Sequence, residues 1–454
     1  MLATLKDVVA LASPIVVTEL GLVTLGVVDT LVVGRLGAEA IGAVGLGNIL
    51  FITVAMFGMG LLLGLDTVVS QSYGAGRTDE CDRWLAHGVL LSLMAAVPLT
   101  LVVRIGLWLL PSWNIEPRVL ALMVPYLEIS AWGLLPLLLF AAFRRYLQAI
   151  GVARPIAIVM VTANLVNLVV ANALVFGWGF LPTLGTIGSA WATLLVRIGL
   201  TLALAVLVMR YAASGSRGLL AGLREFRSSR LRRLVTLGVP AALQATLEIG
   251  VFATATAIAG SLDAVSLASH QIVMNVSSMT WIVTLGIGSA GAVLVGQSLG
   301  RGDLERARQC GWTALSLGVA FMVCAATCLV VTRTYIVAAF TPQVSVVEVG
   351  ATLLLVAAAF QLFDGLQAVA TGALRGLGDT STPMVTNLAA HWLLGLPLGY
   401  VLCSVVGLGV VGLWMGLSSG LVVVGLVLLY TWVYRIRRLA FRSADVGLLP
   451  AVRV

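Results

Sequence analysis

The sequence predicts an all-α integral membrane fold of twelve transmembrane helices, arranged as two pseudo-symmetric six-helix lobes. Three observations carry this. The 454 residues are 60% hydrophobic and 10% charged, with a mean hydropathy of +1.07, whereas a soluble chain of this length needs a far larger charged surface. Apolar runs long enough to cross a bilayer, roughly 20 residues each, recur between short loops rich in Arg, Gly and Pro. The second half of the chain also repeats landmarks of the first at a constant spacing.

Taken in order, the runs cover residues 10–34, 40–66, 87–110, 121–143, 156–178, 185–210, 234–260, 266–296, 312–333, 346–373, 383–405 and 409–434. The first follows Lys6 and Asp7 and is too long for the apolar region of a cleavable signal, so it is expected to be a retained helix. An even number of spans places both termini on one side. Twenty-two basic residues fall on that side, among them Arg77, Arg83, Arg144, Arg145, Arg154, Arg210, Arg230, Arg301, Arg306, Arg375 and the C-terminal arginines. Arg35, Arg104, Arg118 and Arg333 fall toward the other, and Arg197 lies within a span. By the positive-inside rule both termini are cytoplasmic. Short loops and the lack of a targeting segment point to a multi-pass protein of a prokaryotic plasma (inner) membrane. The net charge of +8 is then accounted for by loops facing anionic lipid, with no call for a nucleic-acid partner.

The repeat runs at an offset of 226 residues. Pro14 matches Pro240, Gly34 matches Gly260, Gly60 matches Gly286, and Gln71-Ser72-x-Gly74-x-Gly76 matches Gln297-Ser298-x-Gly300-x-Gly302. Further on, Leu147–Gly151 aligns with Leu374–Gly378 at 227. Six spans per copy make it a parallel repeat about an axis along the membrane normal. The domains expected are a six-helix lobe over 1–210, a cytoplasmic linker over 211–233, a second lobe over 234–435 and a cytoplasmic tail over 436–454.

Polar residues inside the runs mark what lines the interior. On the tenth run, Gln361, Asp364, Gln367 or Ala368, and Thr371 fall on one helical face. A carboxylate at the centre of a bilayer helix costs about 2.5–3.5 kcal/mol even on the lenient insertion scale, so this face turns toward protein or a wet cavity. The first half adds Glu19, Asp29, Asn164, Asn167 and Arg197; the second adds Gln244, Glu248, His270, Asn275 and His391. Glu19 and Glu128 are read as structural partners of Arg197 or of a helix end, and His270 and His391 as packing residues. His87, Asp66 and Glu348 lie near enough to helix ends to snorkel to the interface. Asp29, Glu248 and Asp364 are the functional candidates.

Several classes fall away. Cys324 and Cys328 are four apart in the ninth run, where packed small residues explain them better than a ligand pair. Lys6 is the one lysine of the chain, so no P-loop exists and transport energy must come from an ion gradient or a separate subunit. An integral-membrane enzyme would need a polar catalytic loop or a metal cluster at the interface, and the loops are too short. No cofactor is expected, and a monomer suffices. A major-facilitator protein lacks support, since YGAGRTDECDRW (73–84) stands where its loop signature belongs.

The blocks GVVDTLVVGRLG (26–37), DTVVSQSYGAG (66–76), LEIGVF (247–252), ASHQIVMNVSS (268–278), FQLFDGLQAVATGALRGLGD (360–379) and HWLLGLPLGY (391–400) resemble the multidrug and toxic compound extrusion transporters, in their NorM-like branch. The resemblance implies two six-helix lobes alternating between openings and exporting cationic amphipathic compounds against inward Na+ or H+. It puts the family's acids on Asp29, Glu248 and Asp364, and its first-lobe asparagine and threonine on Asn167 and Thr193. Gln244, Gln361 and Gln367 are supporting cleft residues, and Pro14, Gly26 and Pro240 are the places to bend. Two departures stand out. Ala171 occupies a position where many relatives carry a polar or acidic residue, and Phe360 one where some sodium-coupled relatives carry tyrosine. A lipid-linked oligosaccharide flippase of the same superfamily is the alternative, but it would line its cleft with many basic residues, against one buried arginine here.

Burial disfavours a charged carboxylate, which recovers stability by taking a proton, a metal ion or an organic cation; competition among these is the coupling. The second lobe, with Glu248 and Asp364, is expected to hold the driving ion. Sodium is favoured there because hard cations suit clustered oxygens. Asp29 is expected to act as a protonation switch.

Overall fold

The computed structural model describes residues 2–113, 115–179, 182–212 and 225–446. The middle of the expected linker, including Ser214, and the last residues of the expected tail lie outside the described residues. Fourteen helical segments account for the fold among them: α1 Leu2–Val33, α2 Ala38–Leu61, α3 Gly64–Gly74, α4 Thr78–Leu109, α5 Pro117–Trp132, α6 Leu134–Ala149, α7 Arg154–Phe176, α8 Thr186–Tyr211, α9 Ser228–Leu262, α10 Ala264–Gly300, α11 Leu304–Phe340, α12 Val344–Gly376, α13 Ser381–Val405 and α14 Gly409–Val446. Among the described residues eleven spans are long and apolar enough to cross a membrane on their own, and α5 with α6, bent by 44° at Gly133, makes a twelfth. Each of the twelve apolar runs falls on one of these spans, overrunning it by two residues at most. The chain is a multi-pass membrane protein.

Helix boundaries keep the repeat's spacing. α2 begins at Ala38 and α10 at Ala264, α3 ends at Gly74 and α10 at Gly300, and α4 begins at Thr78 and α11 at Leu304, each pair 226 apart. The α5–α6 span and α12 begin and end 227 apart, and α7 and α13 begin 227 apart. The matched loops are built alike. The Arg77 N–H donates to the Ser72 carbonyl and the Asp303 N–H to the Ser298 carbonyl, each 3.0 Å, closing a Schellman turn through Gly76 and Gly302. Those glycines have φ of 72° and 78°, a region that costs other residues about 1–2 kcal/mol.

The chain forms two compact units, one of Val17–Ala242 and one of Met1–Val16 with Leu243–Val454. The starts of α1 and α9 therefore each pack with the opposite chain half. In the first unit a Cβ on Gly60 would stand 2.5 Å from Ala242 Cα; in the second, a Cβ on Gly286 would stand 3.1 Å from Val16 Cα. These crossings sit two residues beyond Pro240 and Pro14, which interrupt the hydrogen-bond ladders of α9 and α1. Both matched glycines exist to let a helix backbone through. An ion pair secures each start: Glu80 with Arg230 at 2.9 Å, and Arg306 with Asp7 at 2.9 Å.

The first unit's core centres on Phe51, Leu62, Leu65, Leu138, Phe140 and Tyr146. The second is organised around α12, which packs on α10, α11 and α14. Gly288 and Ala292 on α10 face Ala368, Gly372 and Gly376 on α12 so closely that a Cβ on Gly372 would meet the Gly288 carbonyl oxygen at 2.1 Å. This small-residue seam, the usual device for close helix approach in lipid, fixes the helix that carries Asp364. The span α13 contains π-helical turns over Leu388–Gly395 and Val401–Val405, a departure from α-geometry frequent at functional sites.

Candidate functional site

In the first unit, Asp29 is 3% exposed and accepts two hydrogen bonds, from Asn167 Nδ2 at 3.0 Å and Thr193 Oγ1 at 2.5 Å. Asn167 comes from α7 and Thr193 from α8, helices packed along each other. Ala171, one turn beyond Asn167, is fully buried in an apolar group with Val32, Val175 and Ala192, so no oxygen is offered there. Gly26 lies a turn before Asp29 in an unbroken α1, its carbonyl accepting from Thr30 Oγ1 at 3.0 Å.

In the second unit, Gln367 Nε2 donates to Glu248 Oε1 at 3.2 Å. Glu248 and Asp364 are both half-buried, and Asp364 is the charged group that acts on Glu248. The polar face of α12 divides its work. Gln361 donates to Thr280 on α10, Gln367 serves Glu248, and Thr371 Oγ1 has no hydrogen-bond partner among the described residues. Gln244 is buried one turn before Glu248 on α9, and Phe360 is half-buried. Trp392, in the π-helical part of α13, donates through Nε1 to the Leu247 carbonyl at 3.1 Å and lies against Gly250, bracing the backbone on either side of Glu248. This brace is invisible in the sequence, because a π-turn shifts the face on which a residue falls.

The histidine in α10 is a satisfied structural group. Trp414 Nε1 donates to His270 Nδ1 at 3.1 Å, which leaves Nε2–H for Thr256 Oγ1 at 2.9 Å, and that hydroxyl donates to the Phe252 carbonyl at 2.8 Å. Neither ring nitrogen is left for a metal. Asp263, just outside the membrane-spanning segments, caps α10; the Ser266 N–H and hydroxyl hold its carboxyl below the usual carboxylate range.

Several expectations are corrected. Glu19 is not a partner of Arg197: it pairs with Arg144 at 2.9 Å, while Arg145 lies 3.9 Å away and bonds Asp66 at 3.3 Å. Arg144 and Arg145 are therefore buried in α6, not loop residues facing lipid, because each finds a carboxylate that offsets its desolvation. Asp66 and His87 do not snorkel. They are 1% and 2% exposed, and His87 accepts from the Arg227 N–H at 3.0 Å while its Nδ1–H reaches the Arg83 carbonyl at 2.7 Å. Asn275 is exposed, and so are Cys324 and Cys328. Glu19→Gln is expected to cost about 3–5 kcal/mol of stability by stranding Arg144, seen as a lowered melting temperature in detergent.

Several known proteins are similar to this chain. The MatE family model matches residues 14–172 and 240–401. A probable multidrug resistance protein NorM of Deinococcus radiodurans is 35% identical over 442 residues, covering 96% of each chain. Another of that name, from Bradyrhizobium diazoefficiens, is 34% identical over 442 residues, 96% of this chain and 94% of its own. Among solved structures, a eukaryotic MATE transporter superposes with a TM-score of 0.85 at 21% identity, over 96% of this chain and 98% of its own. The outward-facing conformation of a multidrug resistance MATE family transporter does so with 0.87 at 19%, over 96% and 97%.

Proposed function

This chain belongs to the MatE family of membrane transporters, and from that premise we propose that it is a secondary active efflux antiporter. It exports cationic amphipathic compounds in exchange for Na+ or H+ by alternating access, from a plasma (inner) membrane with both termini cytoplasmic. The observation that carries this reading is the pair Glu248 and Asp364: two carboxylates of one compact unit, each inside a membrane span, the charge of Asp364 near enough to act on Glu248, which accepts from the Gln367 amide. Like charges in a poorly solvated place cannot both stay ionised without a cation. Proton, metal ion and organic cation all satisfy that requirement, so the binding of one displaces another. The membrane potential adds about 2.3 kcal/mol per charge per 100 mV to the exchange.

Fluorescent-cation efflux from proteoliposomes under imposed Na+ or pH gradients tests the proposal. Efflux driven by either gradient supports it; efflux that follows neither sinks antiport. The assignment of the driving ion to the second unit has its own check. Na+-stimulated drug release is expected to vanish in Glu248→Gln and to persist in Asp29→Asn, and the opposite pattern would reverse the assignment. For topology, a cysteine at Ser214 in a background without native cysteines is expected to resist an impermeant thiol reagent in intact cells and to label after lysis.

A further inference from the structure

Arg197 is a guanidinium inside a membrane span that the proposed exchange leaves unused. It lies on α8 one turn beyond Thr193, the residue that donates to Asp29, and residues four apart on a helix share a face. No carboxylate lies within ion-pair distance of it among the described residues. Instead its guanidinium sits 4.2 Å over the Phe51 ring. It also lies against Gly133 at the α5–α6 bend, where a Cβ would stand 2.8 Å from Nη1 and 3.0 Å from the Ser130 carbonyl oxygen. The last carbonyls of α5 are thus beside it, a place that favours a cation. Asp29, hydrogen-bonded to Thr193, thus meets α8 one turn from Arg197, near enough for the guanidinium charge to act on it. In the second unit, no guanidinium forms an ion pair with Glu248 or Asp364 among the described residues.

We propose that Arg197 is the built-in counter-ion of the first unit: a tethered cation that compensates Asp29 and thereby bars a metal ion from the Asp29–Asn167–Thr193 group. Asp29 already accepts two hydrogen bonds, Ala171 supplies no further oxygen, and a fixed positive charge held by Phe51 and the α5 terminus opposes an incoming one. The residue sets ion specificity. It leaves the second unit, whose two acids have no guanidinium paired with them among the described residues, as the half that needs an ion from solution.

This inference rests on the reading of the chain as a cation-coupled antiporter, but its test is equilibrium binding without transport, so either can fail alone. The purified full chain, carrying Glu248→Gln and Asp364→Asn to silence the second-unit acids, is titrated with NaCl against choline chloride at constant ionic strength, with sodium NMR line broadening as the readout. Arg197→Gln is expected to bind Na+ at least about tenfold more tightly than its parent, as loss of a nearby unit charge in a poorly screened interior implies. Adding Asp29→Asn is expected to abolish the gain, and Arg197→Lys to behave like the parent. Arg197→Met carries the same expectation if the glutamine variant is not recovered folded. A neutral variant that binds Na+ no better than the parent, a lysine variant that gains as much, or a gain that survives Asp29→Asn overturns the proposal.

Discussion

Asp364→Asn is expected to reach the membrane in normal amount and to export no fluorescent cation above the background of empty vesicles. The amide keeps the shape of the carboxylate, and among the described residues no hydrogen bond to Asp364 has to be sacrificed for the helix to form. What holds α12 in place lies elsewhere, in the glycine and alanine seam against α10 and in the Gln361–Thr280 bond. What is lost is the charge that substrate and coupling ion share, and with it the competition between them. Size-exclusion behaviour matching the parent, together with absent efflux, is the expected pair of results. Parental efflux from a well-expressed variant would remove Asp364 from the mechanism.

Gly372→Leu is expected to fail earlier, in folding. The first carbon of any side chain at this position meets the Gly288 carbonyl oxygen at 2.1 Å, and backbone cannot swing aside as a flexible side chain can. Overpacking with room to relax costs about 1–3 kcal/mol; here two long helices would have to part, so the loss should exceed that range. The measurement is monodisperse protein recovered in mild detergent, expected to fall to a small fraction of the parent's yield. Gly106→Leu, where a Cβ would meet nothing within 4 Å, is the matched control and should be recovered normally.

The spans were legible in the sequence because the bilayer demands length and apolarity, and the structure supplies a helical span for every apolar run. Matched landmarks at 226 also foretold paired features, and the role of Gly60 and Gly286 explains why glycine recurs there. The grouping of Asp29, Asn167 and Thr193 followed from resemblance and was beyond spacing alone, since three separate helices contribute. Other features stayed hidden for physical reasons. Arg144 and Arg145 look like a loop by charge; only the carboxylates of Glu19 and Asp66, more than seventy residues away in sequence, make their burial affordable. The sequence also put Gln361, Asp364, Gln367 and Thr371 on one face but not the different partners that divide it. Trp392 escaped because its register is set by a π-helical segment.

The near-constant spacing of the helix starts, from α1 to α7 and from α9 to α13, carries a record of descent. A six-span ancestor, duplicated in tandem, would give two copies whose helix ends start out equally spaced, and deletions or insertions accumulating afterwards would erode that spacing wherever they were tolerated. Within a packed helix, one added residue turns every later side chain by about 100°, since 3.6 residues make a turn, and carries the buried face into lipid. The observed change from 226 to 227 falls after the start of α4 and α11 and before that of α5 and α12, a stretch that includes the connection at the far ends of those spans. The connection after α7 and α13 differs more, running from Gly177 to Gly185 in one copy and from Val406 to Leu408 in the other. Differences in length thus gather at and between helix ends, and the matched stretches differ mainly by exchange of one side chain for another. That is how a single ancestral scaffold came to hold an arginine beside its acid in one half and a second acid in the other.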